Sequence, residues 1–289
     1  MEKEFNKYKE RGSMHWQEMI SRDIRKFNAI QQSRYDWIIK TAGDISGRSV
    51  LDLGCGDGAL TYLMAKIGGT ITGVDNNELG VSLARENIEN ARNSEKLKYD
   101  FIVASAYELP LPDNSFDIIA CCEVIEHVQN PEKLIEEACR VLKPSGKFIL
   151  TTPHRLRERP SDVNHVREYF PGELETMFKK IFPSVEIKLF NHIFWQGLYI
   201  YSFNRFKHFS TRRIGMLLIN AATLWFGWNP FMIDYPKPEK HDIFTQILIS
   251  AQKKNCFIAA SFGLNGETGH ALNPFNIIED GKYLIKLVR

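Results

Sequence analysis

The stretch VLDLGCGDGAL, residues 50–60, sets three glycines and two aspartates at the end of an apolar run that reads as a buried strand. Glycines so placed let a chain turn tightly and bring its backbone close to a ligand. Gly54, Gly56 and Ala59 also satisfy the loose spacing of a dinucleotide-binding turn, so the glycines alone leave two ligand classes open. The carboxylates favour one of them. Asp52 lies two residues before Gly54, and Asp57 just before Gly58. Both would repel a diphosphate in a partly buried site. The same charges suit S-adenosylmethionine, which carries an ammonium and a sulfonium. Asp75, ending the next strand-like run TITGVD, can accept two ribose hydroxyls as a bidentate carboxylate. Either cofactor wants that acid, so the acidic turn carries the choice.

A second constellation is EVIEHV, which follows the apolar run FDIIACC. If it opens a helix, Glu123, Glu126 and His127 fall at i, i+3 and i+4 on one face. Two carboxylates and an imidazole can hold a divalent ion, and oxygen ligands favour magnesium or manganese. His165, in SDVNHVREYF, is the candidate fourth ligand. Two other readings stay open: His127 as a metal-free general base, and a purely structural role for the whole set.

These residues need a frame. From residue 49 onward short apolar runs alternate with helical patterns: SVLDLGC, TITGVD, KYDFIVAS, FDIIACCEV and KFILTTP read as strands. Such alternation predicts βαβ units and a doubly wound, mostly parallel sheet with helices on both faces. PSVEIKLF and DIFTQILISAQKK add two strands, seven in all, but roughly fifty residues separate them. A usual αβ connection takes only about 2–6 residues. The chain therefore divides into an N-terminal helical cap (1–48), a core (49–190 and 243–255), an aromatic-rich insertion (191–242) and a C-terminal extension (256–289). Residues 214–233 of the insertion carry no charge, nominally enough for a membrane span, but Asn220, Asn229 and Pro230 interrupt the run. A lid over the acceptor is the expected use. A peripheral membrane contact through 204–233 is the next, with Trp225, Phe226 and Trp228 in the headgroup region and Arg205, Lys207, Arg212 and Arg213 meeting anionic lipid. A homodimer contact is the third.

Several of these motifs, in this order, resemble the class I S-adenosylmethionine-dependent methyltransferases over about residues 48–190 and the strand near 243–252. VLDLGCGDGAL is similar to the family's glycine-rich motif, ITGVDNN to its acidic one, and ASAYELPLPDNSFDIIACCEVIEHV to its adenine-side loop and fourth strand. The resemblance implies a cofactor site built from Asp52, Gly54, Cys55, Gly56, Asp75, Asn76, Ala106, Tyr107 and Cys122. Cys55 and Cys122 also read as small apolar fillers. The E-x-x-E-H set resembles the magnesium site of ubiquinone-biosynthesis O-methyltransferases, a branch in which an upstream arginine touches the cofactor. Arg34 is the matching residue here. The resemblance implies methyl transfer, O-directed, to a small or lipid-like acceptor.

Composition is compatible with this. The 289 residues are 44% hydrophobic and 25% charged, with a formal net charge of +2. That balance gives no general attraction to nucleic acid, and no basic stripe with interleaved aromatics stands outside the insertion. Five scattered cysteines are no disulfide framework, and MEKEFNKYKERGS lacks the apolar core of a signal peptide, so a reducing cytoplasm is expected. Two alternatives remain: an NAD-dependent oxidoreductase, and a non-catalytic S-adenosylmethionine-binding protein.

Overall fold

The fold is taken from a computed structural model that describes residues 7–157, 160, 162, 164–200, 212–235 and 243–254. Residues 201–211 and 236–242 of the insertion, and the extension at 256–289, lie outside the described residues. Arg205 and Lys207 fall among them.

Seven strands form one sheet in the order β3-β2-β1-β4-β5-β7-β6. They are β1 Ser49–Leu53, β2 Thr70–Asp75, β3 Lys98–Val103, β4 Phe116–Cys122, β5 Leu142–Pro153, β6 Ser184–His192 and β7 Phe244–Gln252. The first five pair in parallel, while β7 runs antiparallel between β5 and β6. The mostly parallel, doubly wound sheet expected from the sequence is the observed one. Parallel strands are covered on both faces, which is why β1 and β4 read as nearly continuous apolar runs.

Helices pack on each face. Leu51 and Leu53 of β1 join one apolar cluster with α6 (Pro131–Val141) and α7 (Pro171–Lys179). Val50, one residue out of phase, joins a second cluster with α3 (Ala29–Ala42), α4 (Ala59–Lys66) and α5 (Glu78–Glu89). The period of two along a strand produces that division. The helical pattern before β1 is broken rather than continuous. After α1 (Lys7–Arg11) come α2 (Met14–Ile20) and then α3, and Asn28 caps α3 by accepting from the Gln31 amide at 3.1 Å.

The insertion leaves β6 as α8 (Ile193–Ile200), continues in α9 (Arg212–Phe226) and closes with a 3-10 turn, Pro230–Met232. It is tied to the N-terminal region by the buried amides of Asn220 and Asn229, the latter donating to the Ala29 carbonyl at 2.9 Å. Asn220 donates to the carbonyls of Phe27 (2.6 Å) and Ile24 (2.8 Å), and accepts from the Tyr199 hydroxyl (3.0 Å) and the Ala29 amide (3.3 Å). A third small cluster, Phe27, Ala29, Tyr199, Ile219 and Phe231, surrounds it. Leaving buried partners unsatisfied costs about 1–3 kcal/mol each. Asn220→Leu is therefore expected to lower the unfolding free energy by about 2–4 kcal/mol in urea titration. An unchanged midpoint would show that the insertion is not held at this point.

Candidate active site

The chain turns sharply where β1 ends. Gly54 has φ +81° and Gly56 φ +54°, backbone that L side chains rarely adopt. Space forbids a side chain as well: a Cβ at Gly54 would run into Val124, and one at Gly56 into the Tyr8 hydroxyl. The turn is stitched to β2 by the amides of Gly54 and Cys55, which both donate to the Val74 carbonyl at 2.7 and 3.0 Å. Asp75, at the end of β2, accepts from the Gly56 amide (3.0 Å) and the Asn77 amide (2.9 Å). Its neighbour Asn76 is exposed.

The two aspartates of the turn have different surroundings. Asp52 is buried and accepts from the Thr61 hydroxyl at 2.6 Å. Burial, with smaller contributions from Asp75 and Asp57, pushes its carboxyl up to about 7. Asp57 is also buried, but its carboxylate accepts from the Trp16 amide of α2 at 3.0 Å. Asp57 thus holds the N-terminal region while its charge adds to those of Asp52 and Asp75 at the turn. The buried Cys55 thiol is likewise held up by desolvation.

Tyr8 was not foreseen from the sequence. It is buried, packs against both Gly56 and Gly80, and has its hydroxyl pushed upward by burial, then by Asp75 and Asp57. No motif surrounds Tyr8 in the sequence. On the opposite side, at the end of β3, Ser105 and Glu108 form an isolated antiparallel bridge, with half-buried Ala106 and Tyr107 between them. The Tyr107 hydroxyl accepts from the Asn130 amide at 3.0 Å.

The E-x-x-E-H stretch differs from its expected shape. Glu123 takes a left-handed φ of +57°, and Ile125–His127 is a single 3-10 turn rather than the start of an α-helix. Glu123, Glu126 and His127 therefore do not share one helical face. Glu123 is paired with Arg34, whose Nη2 lies 3.3 Å from its Oε2. The Gln246 amide of β7 completes the contact when its oxygen and nitrogen are assigned to satisfy both neighbours: the oxygen then accepts from Arg34 at 3.0 Å and the nitrogen donates to Glu123 at 3.0 Å. Arg34 also donates to Gln31 at 2.9 Å, while its buried Nε has no protein partner. Cys122, beside this pair, accepts from the Thr151 hydroxyl at 3.4 Å and has its thiol raised by burial. Gln246 carried little sequence signal, since β7 (FTQILISAQ) also holds Thr245, Ser250 and a second glutamine, Gln252.

Glu126 and His127 meet His165 instead. One ligand atom from each of these three lies within 4.8 Å of the others. The imidazole rings of His127 and His165 are 5.0 Å apart, edge to face. His127 Nδ1 bonds the Asn164 carbonyl (3.1 Å), and His165 Nδ1 bonds the Glu168 carboxylate (2.8 Å). Rings fixed in this way at one nitrogen are the common arrangement of metal-ligating histidines. Glu126 Oε2 accepts from the Thr152 hydroxyl at 3.0 Å, but its buried Oε1 has no partner. Desolvation, then the Glu123 charge, raise its carboxyl well above the usual range.

Asp52 gives the site a pH signature. Its carboxyl is raised in the folded state, so the native chain binds that proton more tightly than the unfolded one, and stability falls as pH rises from about 4 to about 7. Asp52→Asn removes this loss. It should exceed the parent in unfolding free energy by about 1–4 kcal/mol at pH 8 and converge with it below about pH 4. Parallel pH profiles would exclude Asp52 as the titrating group.

A family model described as a methyltransferase domain matches residues 51–150. Ubiquinone biosynthesis O-methyltransferase of Pseudomonas fluorescens is 32% identical over 133 residues, covering 46% of this chain and 56% of that protein. The chain thus spans about half the length of the curated relatives it matches. Among solved structures, the phosphoethanolamine N-methyltransferase 2 of Haemonchus contortus, with phosphomonomethylethanolamine and S-adenosylhomocysteine bound, superposes with a TM-score of 0.59 at 19% identity, covering 87% of this chain and 59% of that one. The cyclase SpnF superposes with a TM-score of 0.53 at 22% identity, covering 78% and 81%. At such identities these structures share the fold and no more. The seven-stranded sheet has the class I, Rossmann-like fold of these structures, and residues 51–150 within it match a methyltransferase domain.

Proposed function

We propose that the chain is an S-adenosylmethionine-dependent methyltransferase that methylates an oxygen of a small or lipid-like acceptor. The observation that carries this reading is the acidic glycine turn. Asp75 is held against the Gly56 amide, and Asp52 is buried beneath the same turn. A cation-bearing ligand would draw the Asp52 proton off, whereas a pyrophosphate would meet two acids. Asp75 takes the ribose hydroxyls, Gly54, Cys55 and Gly56 admit the ligand to the backbone, and Ala106 and Tyr107 lie on the adenine side, with Asn76 beside the ribose. Tyr8 closes the cleft from the N-terminal side. The unpartnered Arg34 Nε supports a cofactor contact, since a buried N–H normally has an acceptor. Cys122 lines the same cleft.

Methyl transfer is an in-line displacement, so positioning supplies much of the rate. A hydroxyl acceptor must also lose its proton, and His127 is the base that the geometry offers. A divalent ion is the second reading. The observation favouring it is the orphaned Glu126 Oε1 beside two oriented imidazoles. These three residues fit an ion, which would supply Lewis acidity toward the acceptor oxygen. Two nitrogens and one carboxylate shift the preference from magnesium toward manganese or a softer metal. Glu123 is left as the partner of Arg34. The relatives' name supports a quinone-type acceptor, with the insertion and N-terminal helices forming its side of the cleft.

Two measurements test the reading. Asp75→Ala should weaken S-adenosylmethionine binding by about 10–100-fold in calorimetric titration, since a charge-assisted contact is worth about 1.5–3 kcal/mol. The parent should bind no NAD. Unchanged affinity would remove Asp75 from the site, and NAD binding in place of S-adenosylmethionine would turn the assignment to an oxidoreductase. For activation, His127→Ala should lower kcat about 10²–10⁴-fold in a labelled-methyl assay. Chelator should abolish turnover, with manganese restoring it, if the ion is used. Full turnover in chelator leaves the base alone, and an undiminished kcat in His127→Ala excludes both roles.

A further inference from the structure

Helix α9 is apolar on both sides: Ile219, Met216 and Leu224 pack inward around the buried Asn220, and the outer side carries no polar residues in compensation. Between Ile214 and Phe226 its only polar side chains are Asn220 and Thr223. Asn220 is fully buried against the N-terminal region, and the Thr223 hydroxyl donates to the Ile219 carbonyl one turn back at 2.8 Å. The outer face is apolar. Ile214, Leu218 and Trp225 are exposed, with Leu218 and Trp225 at 66% and 67%, and their spacing of four and seven residues puts them on one stripe. Phe226 (81% exposed) and Trp228 extend the stripe past the helix end. Trp228 meets Trp195 edge to face at 5.7 Å, and Trp195 meets exposed Phe194 at 5.1 Å. The apolar surface thus runs from α9 across to the start of α8.

A water-facing helix normally turns its polar side outward, and contiguous exposed apolar surface marks a partner. The charge pattern selects which one. No Asp or Glu occurs from residue 193 to 233, while α9 opens on Arg212–Arg213. An apolar, tryptophan-bearing stripe on a helix whose sequence opens on two arginines, in a stretch of chain without a carboxylate, complements a layer of anionic headgroups over acyl chains. A second copy of this chain would bring a sequence equally rich in arginine and equally without carboxylates, and so no opposite charge. Among the described residues no helix is long and apolar enough to cross a membrane, so the fit is to a surface.

We propose that the outer face of α9, continued by Trp228 and Phe194, docks this protein on an anionic phospholipid surface, with the helix lying along it. Docking is independent of the transfer chemistry and can be read without turnover. The test is co-sedimentation of the full chain with vesicles of equal parts phosphatidylglycerol and phosphatidylcholine, compared with phosphatidylcholine alone. Expected are binding at least ten times stronger to the mixed vesicles, weakening with added salt, and a blue shift of tryptophan emission. Leu218→Ser/Trp225→Ser should lose at least tenfold of the binding while keeping the parent's thermal midpoint, since both side chains are exposed. Arg212→Gln/Arg213→Gln should lose the preference for the anionic vesicles. Equal sedimentation of parent and Leu218→Ser/Trp225→Ser would overturn the proposal. So would absence of vesicle binding, including the case where light scattering shows a dimer that Leu218→Ser/Trp225→Ser dissociates.

Discussion

The half-buried contact between Arg34 and Glu123 is the constraint around which the candidate site is arranged. It joins three parts of the chain that lie far apart in sequence: helix α3, the carboxyl end of β4, and, through Gln246, strand β7. A charge pair taken from water loses hydration that attraction alone scarcely returns, so it persists only where further hydrogen bonds complete it. Gln31 and Gln246 supply them. Meeting Arg34 accompanies the left-handed backbone at Glu123, and that turn separates Glu123 from Glu126 and His127. Glu126 is then left buried with one oxygen unpartnered, next to two histidines. The pairing of one carboxylate thus leaves the other available for different chemistry.

The site concentrates acids where burial opposes their ionisation. Asp52 and Glu126 are both raised by desolvation and by neighbouring carboxylates. Groups held in this way are poised to respond to a cation, since an arriving positive charge offsets both effects at once. Asp52 lies near the end of β1, and Glu126 in the turn that follows β4, the adjacent parallel strand. That sheet edge is where ligands bind in open α/β folds. The fold therefore accounts for where the charges sit, and the residue types for what they can attract. The shared fold of the cyclase SpnF shows why the sheet alone does not settle the chemistry.

The strand alternation, the glycine turn and the acid ending β2 were legible in the sequence because each depends on local rules. Parallel strands buried on both faces must be apolar throughout, and a backbone with φ near +81° at Gly54 calls for glycine. The two-sided apolar character of α9 was half legible. Its lack of charge is plain in the sequence, but which side Asn220 faces depends on Ile24 and Phe27, nearly two hundred residues away. The second role of Asp57, as acceptor for the Trp16 amide, was not legible for a similar reason, since the two residues lie far apart in the chain.

The grouping at EVIEHV was decided by tertiary structure alone. Spacing permits Glu123, Glu126 and His127 to share a helical face, but spacing carries no information about Arg34 reaching across from α3. A single residue with positive φ breaks the helical phase, and the broken phase brings His165, from beyond β5, to Glu126 and His127. Tyr8 enters the glycine turn on the same terms, as a side chain without a motif, placed by the packing of an N-terminal helix against Gly56 and Gly80. The sequence by itself determined the sheet, its glycine turn and the stock of reactive groups, because periodicity and backbone sterics act between neighbours in the chain. Which of those groups meet was decided only in the folded molecule, where burial makes each carboxylate and imidazole take the partner that geometry leaves it.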